Sequence, residues 1–254
     1  MDIATMVGLL VAFGSLFGML TIEGSSVTSI LLPAPMLIVF GATIAVGFAS
    51  GTTGDALRAV KAVPKAFRGK IAKPATVIEQ LVGIAEKARR EGLLSLEQNA
   101  HETKDPFFRD ALQNIADGTD GEELRILLED QIATRQRVDR GAAKWFKILG
   151  GYAPTIGIIG TVVSLTHVLE NLSSPAKLGP MIAAAFVATL WGLLSANFIW
   201  LPIGDRLNRL CDLESERMTL IMEGTLAIQS GAQPRLLDER LRAMVPASSL
   251  PKAA

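Results

Sequence analysis

Charge is missing from four places where a soluble protein of this length would carry it. The apolar runs Ile3–Ile22, Pro33–Gly51, Ile148–Leu169 and Pro180–Ile203 contain no Asp, Glu, Lys or Arg. Each is near the roughly 20 residues that a bilayer core requires. Thiols and imidazoles are scarce too. The single cysteine, Cys211, and the widely separated His101 and His167 rule out a disulfide framework or a Cys/His metal cluster within the chain. Cys211, in NRLCDLESER, reads as a small side chain on a helix. Net charge is zero, so nothing favours a nucleic-acid partner. The N-terminus lacks a basic leader region and a clean cleavage site, so Ile3–Ile22 reads as a retained span. A nucleophile elbow, a phosphate-cradling glycine loop and clustered acids are all lacking, and with them any enzyme reading.

What is present is hydrocarbon. The 254 residues are 49% hydrophobic with mean hydropathy +0.35, which places the chain with membrane proteins. Of the 25 Lys and Arg, seventeen lie between Arg58 and Lys147 and seven between Arg206 and Lys252. Lys177 alone sits in the third connection, and Glu23–Leu32 has none. The positive-inside tendency puts the long middle segment, the tail and the N-terminus in the cytoplasm.

The expected fold is therefore all-α: a polytopic membrane protein with four transmembrane helices and a large helical cytoplasmic segment, two of the helices extending into the cytoplasm. Residues 1–52 hold the first two spans, 53–147 the cytoplasmic domain, 148–204 spans three and four, and 205–254 a cytoplasmic helix and tail. Within the cytoplasmic domain, Val77, Leu81, Ile84 and Ala88 recur at helical steps between Pro74 and Gly92. DPFFRDALQNIADG predicts a second helix. A third starts at Gly121 and has no breaker but Gly141 before the third span, so it is expected to run straight into the membrane. The tail from Asp205 to Gln229 continues the fourth span as a charged helix. The final VPASSLPKAA is expected to be disordered.

Weak helix formers crowd the third span. Gly150, Pro154, Gly157, Thr161 and Ser164 make one stripe at three- and four-residue steps; Ala185, Thr189, Gly192 and Ala196 make another in the fourth. Gly160 lies beside the first. Small residues let helix backbones approach in lipid, and packing alone accounts for the stripes. A second reading adds a polar path. Thr161 and Thr189 each offer a hydroxyl to a cation or a water, or Thr161 caps a carbonyl of its own helix. Pro154 leaves a carbonyl without its donor one turn earlier, and Pro202 does so near the end of the fourth span. Coupled ion transport normally uses a carboxylate within the membrane, and these spans have none. The acid is expected from a partner.

Five stretches carry a resemblance: MDIATMVGLL, KARREGLLSLE, GGYAPTIGIIGTVVSL, FIWLPIGDRL and RMTLIMEGTLAIQSGAQPRLLDERL. In this order, on four spans, the chain resembles the MotA/PomA family, the larger subunit of the bacterial flagellar stator. The resemblance implies a homopentamer in the inner membrane around a MotB/PomB-like partner that supplies the intramembrane Asp. It implies an ion flux that turns the ring and a cytoplasmic contact with the rotor protein FliG. Arg89, Arg90 and Glu97 match the rotor-interacting positions, and Pro154 and Pro202 match the coupling prolines. Gly150, Gly157, Gly160 and Gly192 are expected to pack around the partner helix. No cofactor or resident metal is implied, only a transported cation. The two threonines resemble the family's sodium-driven members, so Na+ is favoured over H+, with transient Na+ near Thr161 and Thr189. An ExbB/TolQ-like energy-coupling subunit, with three spans, and a scaffold without an ion path are the competing readings.

Overall fold

The structure is a computed structural model that describes residues 3–250. It is helical throughout, with no strand among the described residues. The chain falls into two compact units, one made of residues up to Gly69 with Asp139–Arg209, the other of Lys70–Val138 with residues from Leu210 onward.

The first unit contains the apolar helices. α1 is Ile3–Ile22. α2 (Pro33–Met36) and α3 (Thr43–Ala49) are joined without a break through a π-helical segment, Leu37–Ala42. Then α4, Thr53–Arg68, starts on a capping box in which Thr52 and Asp55 bond each other's backbone N–H. Among the described residues, three helices are long and apolar enough to cross a membrane, and Pro33–Ala49 is a shorter apolar helix. α1 buries almost nothing within the chain; Leu20 is its one buried large side chain among those described.

In the second unit, α5 spans Pro74–Glu91, begun by a proline that needs no donor at that position and ended at Gly92, whose φ of 85° is open to glycine. α6 is Leu96–Glu102 and α7 is Pro106–Ala116, the latter capped by Asp105 on the Phe108 N–H. α8 is one 50-residue helix, Gly121–Glu170, that runs through Gly141 and Pro154 and contributes to both units. α9 (Pro175–Ser195) passes through a second π-helical segment, Ala196–Trp200, into α10 (Leu201–Gln229). α11 is Pro234–Ala243.

The core of this unit is built from the predicted face of α5, with Val77, Ile78, Leu81, Ile84 and Ala88 all buried. Leu112 and Ile115 of α7, Leu124 and Leu128 of α8, Ile221 of α10 and Leu237 of α11 pack with them. The C-terminal stretch differs from its expected disorder. Val245 and Leu250 pack against this core around a 3-10 turn at Ala247–Ser249, because two apolar residues flank a segment too short to show any period. Residues 251–254 of the expected disordered tail lie outside the described residues.

Candidate functional site

The two small-residue stripes meet each other. Residues at three- and four-residue steps line one side of a helix, and glycine there removes the side chain that keeps backbones apart. A β-carbon on Gly157 would stand 2.9 Å from the Ala188 carbonyl oxygen and 3.1 Å from the Gly192 Cα. One on Gly192 would stand 2.7 Å from the Ala153 carbonyl and 3.0 Å from the Gly157 Cα. Both would strike backbone, which has no rotamer by which to yield. Gly160 fits against the Ala188 Cβ and Ile38, bringing the π-helical part of the second apolar helix into the same seam. Gly150 lies under Leu201, whose Cδ2 would stand 2.5 Å from an added β-carbon.

The four glycines were expected to pack around a partner helix. Gly150, Gly157, Gly160 and Gly192 are buried against helices of their own chain, so the space they open is already filled. The sequence displays two small-residue faces but not whether they pair with each other or with another molecule. The seam leaves other helix surfaces uncovered. The uncovered one on α8 is branched and apolar: Ile158, Ile159, Val162, Val163 and Leu169. Two of its hydroxyls, Thr155 and Thr166, bond back to carbonyls of their own helix, and the exposed Tyr152 phenol lies on the same side.

Thr161 sits in the seam. Its hydroxyl lies 3.1 Å from the Gly157 carbonyl of its own helix and 2.9 Å from the Ala185 carbonyl across the seam. It also bonds the Thr189 hydroxyl. Thr161 thus caps a carbonyl of its own helix, as one of the two readings expected, and also joins Thr189. Two hydroxyl and two carbonyl oxygens converge at one half-buried point. The Ala185 carbonyl is the member the sequence could not supply, since backbone oxygens leave no residue signature.

The prolines are accommodated differently. α8 continues through Pro154 unbroken. Pro202 follows the π-helical segment Ala196–Trp200, closed by a bond from the Leu201 N–H to the Ala196 carbonyl. A proline clashes with the carbonyl four residues earlier, and a wider turn relieves that clash. Around this region Phe146 stacks on Trp200, with ring centroids 6.5 Å apart. Trp145 donates from its indole to the Gly47 carbonyl at 3.2 Å. His167 is exposed at the end of α8, 3.3 Å from Glu170.

The remaining predicted residues lie in the second unit. Arg89 and Arg90 occupy the exposed last turn of α5, and Arg90 approaches Glu86 only at 3.8 Å. Glu97 is exposed in the first turn of α6 and lines a shallow groove of about 670 Å³ with Glu91, Leu94, Gln98, His101 and Glu102. Leu94, 76% exposed, was not singled out by sequence reasoning. Arg217 is the unit's most enclosed cation. Burial pulls its guanidinium down, but Glu214 and Asp105 outweigh this and hold it above its ordinary value. No group of three or more His, Cys, Asp or Glu among the described residues could hold a metal ion.

Comparison with known proteins accords with this arrangement. The sequence profile of the MotA/TolQ/ExbB proton channel family matches residues 99–220, and that of the Motility protein A N-terminal family matches residues 6–92. Chemotaxis protein PomA of Vibrio alginolyticus is 35% identical, spanning 95% of this chain and 94% of that protein. Motility protein A of Bacillus subtilis is 31% identical over 100% of this chain and 94% of its own length. The structure of C. jejuni MotAB superimposes with TM-score 0.94 at 26% identity, covering 100% of both chains. With its apolar helices, its paired small-residue seam and full-length relatives of one kind, the chain belongs to the MotA/PomA family of flagellar stator subunits.

Proposed function

We propose that this chain forms, with a MotB/PomB-like partner, the ion channel of a bacterial flagellar stator, and that it converts ion flux into torque on the rotor. The observation that carries the reading is the Thr161–Thr189 pair. It is an uncharged cluster of oxygens within two apolar runs, Ile148–Leu169 and Pro180–Ile203, that have no carboxylate of their own. Such a cluster can bind and release a partly dehydrated cation, but it cannot carry a proton by titration. The titrating Asp belongs to the partner's single span. Sodium is favoured over the proton because sodium needs several oxygen ligands and this seam supplies them.

In this reading the chain lies in the inner membrane with four spans, the shorter helix Pro33–Ala49 being the second, and with both termini in the cytoplasm. Residues 1–52 and 148–204 form the membrane part, and 53–147 with 205–254 the cytoplasmic part. Five copies surround the partner. Gly150, Gly157, Gly160 and Gly192 lock the helices of each copy into one wall, and the uncovered face of α8 meets the partner. Pro154 and Pro202 mark where that wall bends as the ion passes. Arg89, Arg90 and Glu97 engage FliG. Exposed ion pairs are worth about 1 kcal/mol or less, so such contacts form and break quickly. No enzymatic step is involved. An ExbB/TolQ-like role is the alternative; full-length similarity to motility proteins disfavours it.

The test is the rotation rate of cells driven by this chain as external sodium varies at fixed pH. Rate is expected to rise and saturate with sodium and to survive a protonophore. A rate indifferent to sodium but abolished by the protonophore would assign the path to protons.

A further inference from the structure

The segment after the second apolar helix has an outer face that the fold leaves bare. Between residues 53 and 73 the sequence carries six Lys and Arg against one acid, Asp55. α4 buries Ala56, Ala59 and Ala66 in a cluster with Ala142, Ala143, Trp145 and Phe146 of α8. Lys65 reaches Asp139 at 2.9 Å, and Arg206 donates to the Ala66 carbonyl at 3.4 Å, so this inner face is fixed in place. The opposite face holds Leu57, Val60, Lys61, Pro64 and Arg68. Leu57 is 56% exposed and Val60 55%; the other three are exposed too. Spacing by three and four residues puts all five on one side of the helix.

Exposed leucine and valine beside exposed lysine and arginine are a poor surface for water. They suit the boundary of a bilayer, where hydrocarbon lies next to phosphate. Position agrees with composition. Only Ser50, Gly51 and Thr52 separate α4 from the end of the apolar helix at Ala49, so α4 begins at headgroup depth. A basic cluster directly cytoplasmic of a span attracts anionic lipid.

We infer that the Leu57–Val60–Lys61–Pro64–Arg68 face of α4 docks on anionic phospholipid. The branched side chains enter the acyl boundary, and Lys61 and Arg68 pair with headgroup phosphates. The inference rests on the membrane placement proposed above. Because the inner face of α4 is tied to α8 and α10, the lipid braces the feet of the two helices that continue from the Thr161–Thr189 seam.

The experiment uses the purified assembly in nanodiscs of phosphatidylcholine, alone or with increasing phosphatidylglycerol. It reads the melting temperature and the phosphatidylglycerol retained per chain. Each basic residue near a membrane surface is worth roughly a fivefold preference. Lys61→Gln with Arg68→Gln is therefore expected to weaken phosphatidylglycerol retention roughly thirtyfold, leaving the melting temperature in pure phosphatidylcholine unchanged. Leu57→Ser with Val60→Ser is expected to lower retention of both lipids and keep the preference. Equal phosphatidylglycerol retention by the double Gln variant overturns the inference. So does an equal stabilisation by inorganic phosphate in detergent, which would mean a free-anion site. Cross-linking of Leu57→Cys between copies, with no response to phosphatidylglycerol, would show that a neighbouring chain covers the face. None of these readouts needs ion flow, so their failure leaves the torque reading intact, and loss of sodium dependence leaves this one intact.

Discussion

The two units of the chain solve the same packing problem with opposite materials. In the unit containing α1, α2, α3 and α9, the seam between α8 and α9 is closed by glycine, alanine and threonine, and many large aliphatic side chains, Ile158 and Val162 among them, are exposed. In the other, leucine and isoleucine point inward and charged pairs such as Arg235 with Glu239 and Arg90 with Glu86 lie on the outside. The difference reflects two solvents. Against water, burying a leucine is favourable by about 1.5–3 kcal/mol. Against lipid that gain vanishes, and only closeness of approach remains to hold helices together.

The comparison breaks first at Gly192. Gly192→Leu puts a side chain into the Ala153 carbonyl and the Gly157 Cα. It is expected to split α8 from α9, and no assembled complex should be recovered by size-exclusion chromatography of detergent extracts. Full recovery would mean the seam is not held by closeness. In the second unit Leu112→Ala, at a fully buried position, is expected to cost about 2–5 kcal/mol, read as a lower chemical-denaturation midpoint. Gly224→Ala sharpens the contrast. Its β-carbon would meet only the tip of the Leu81 side chain, 2.5 Å away, which can turn aside. About 1–3 kcal/mol is expected, with assembly retained, where Gly192→Ala in the seam meets backbone and is expected to lose assembly.

The smallest effect concerns acid. The Asp55 carboxyl is held below its ordinary value, chiefly by the Thr52 hydroxyl, then by the Thr52 N–H and Arg58. A lowered carboxylate contributes stability that is present above its unfolded value and lost as pH falls through the folded one. Hydrogen-exchange protection of the first turn of α4 is expected to drop across that acid range. Asp55→Asn is expected to lack the step; the same step in the variant would remove Asp55 as its cause.

Much of this was legible in the sequence, for reasons that differ by element. α5, α7 and the start of α8 were readable because Pro74, Asp105 and Gly121 punctuate clear helical periods. The continuity of α8 followed from the lack of a strong breaker before the span. Thr161 and Thr189 were found because each lies on a small-residue stripe of its span. The π-helical segments were not legible, since one widened turn leaves no compositional trace, though Pro202 marked the place of one. α4 was not singled out within the segment expected to be helical; its buried face is built of alanine rather than of large apolar residues. Which stripe met which was also hidden. Pairing is a long-range fact, and Gly157 and Gly192 carry the same signal whether their neighbour is a sister helix or a stranger.

The uncovered face of α8 has one more consequence. Ile158, Ile159, Val162, Val163 and Leu169 offer only dispersion forces, and the nearby Thr155 and Thr166 hydroxyls are spent on their own backbone. Beyond the Tyr152 phenol at one end, a helix or acyl chain lying along these five residues finds no hydrogen-bonding side chain to fix its angle. In the assembly proposed above, such a surface would serve as a dry bearing, excluding water while setting little detent against sliding.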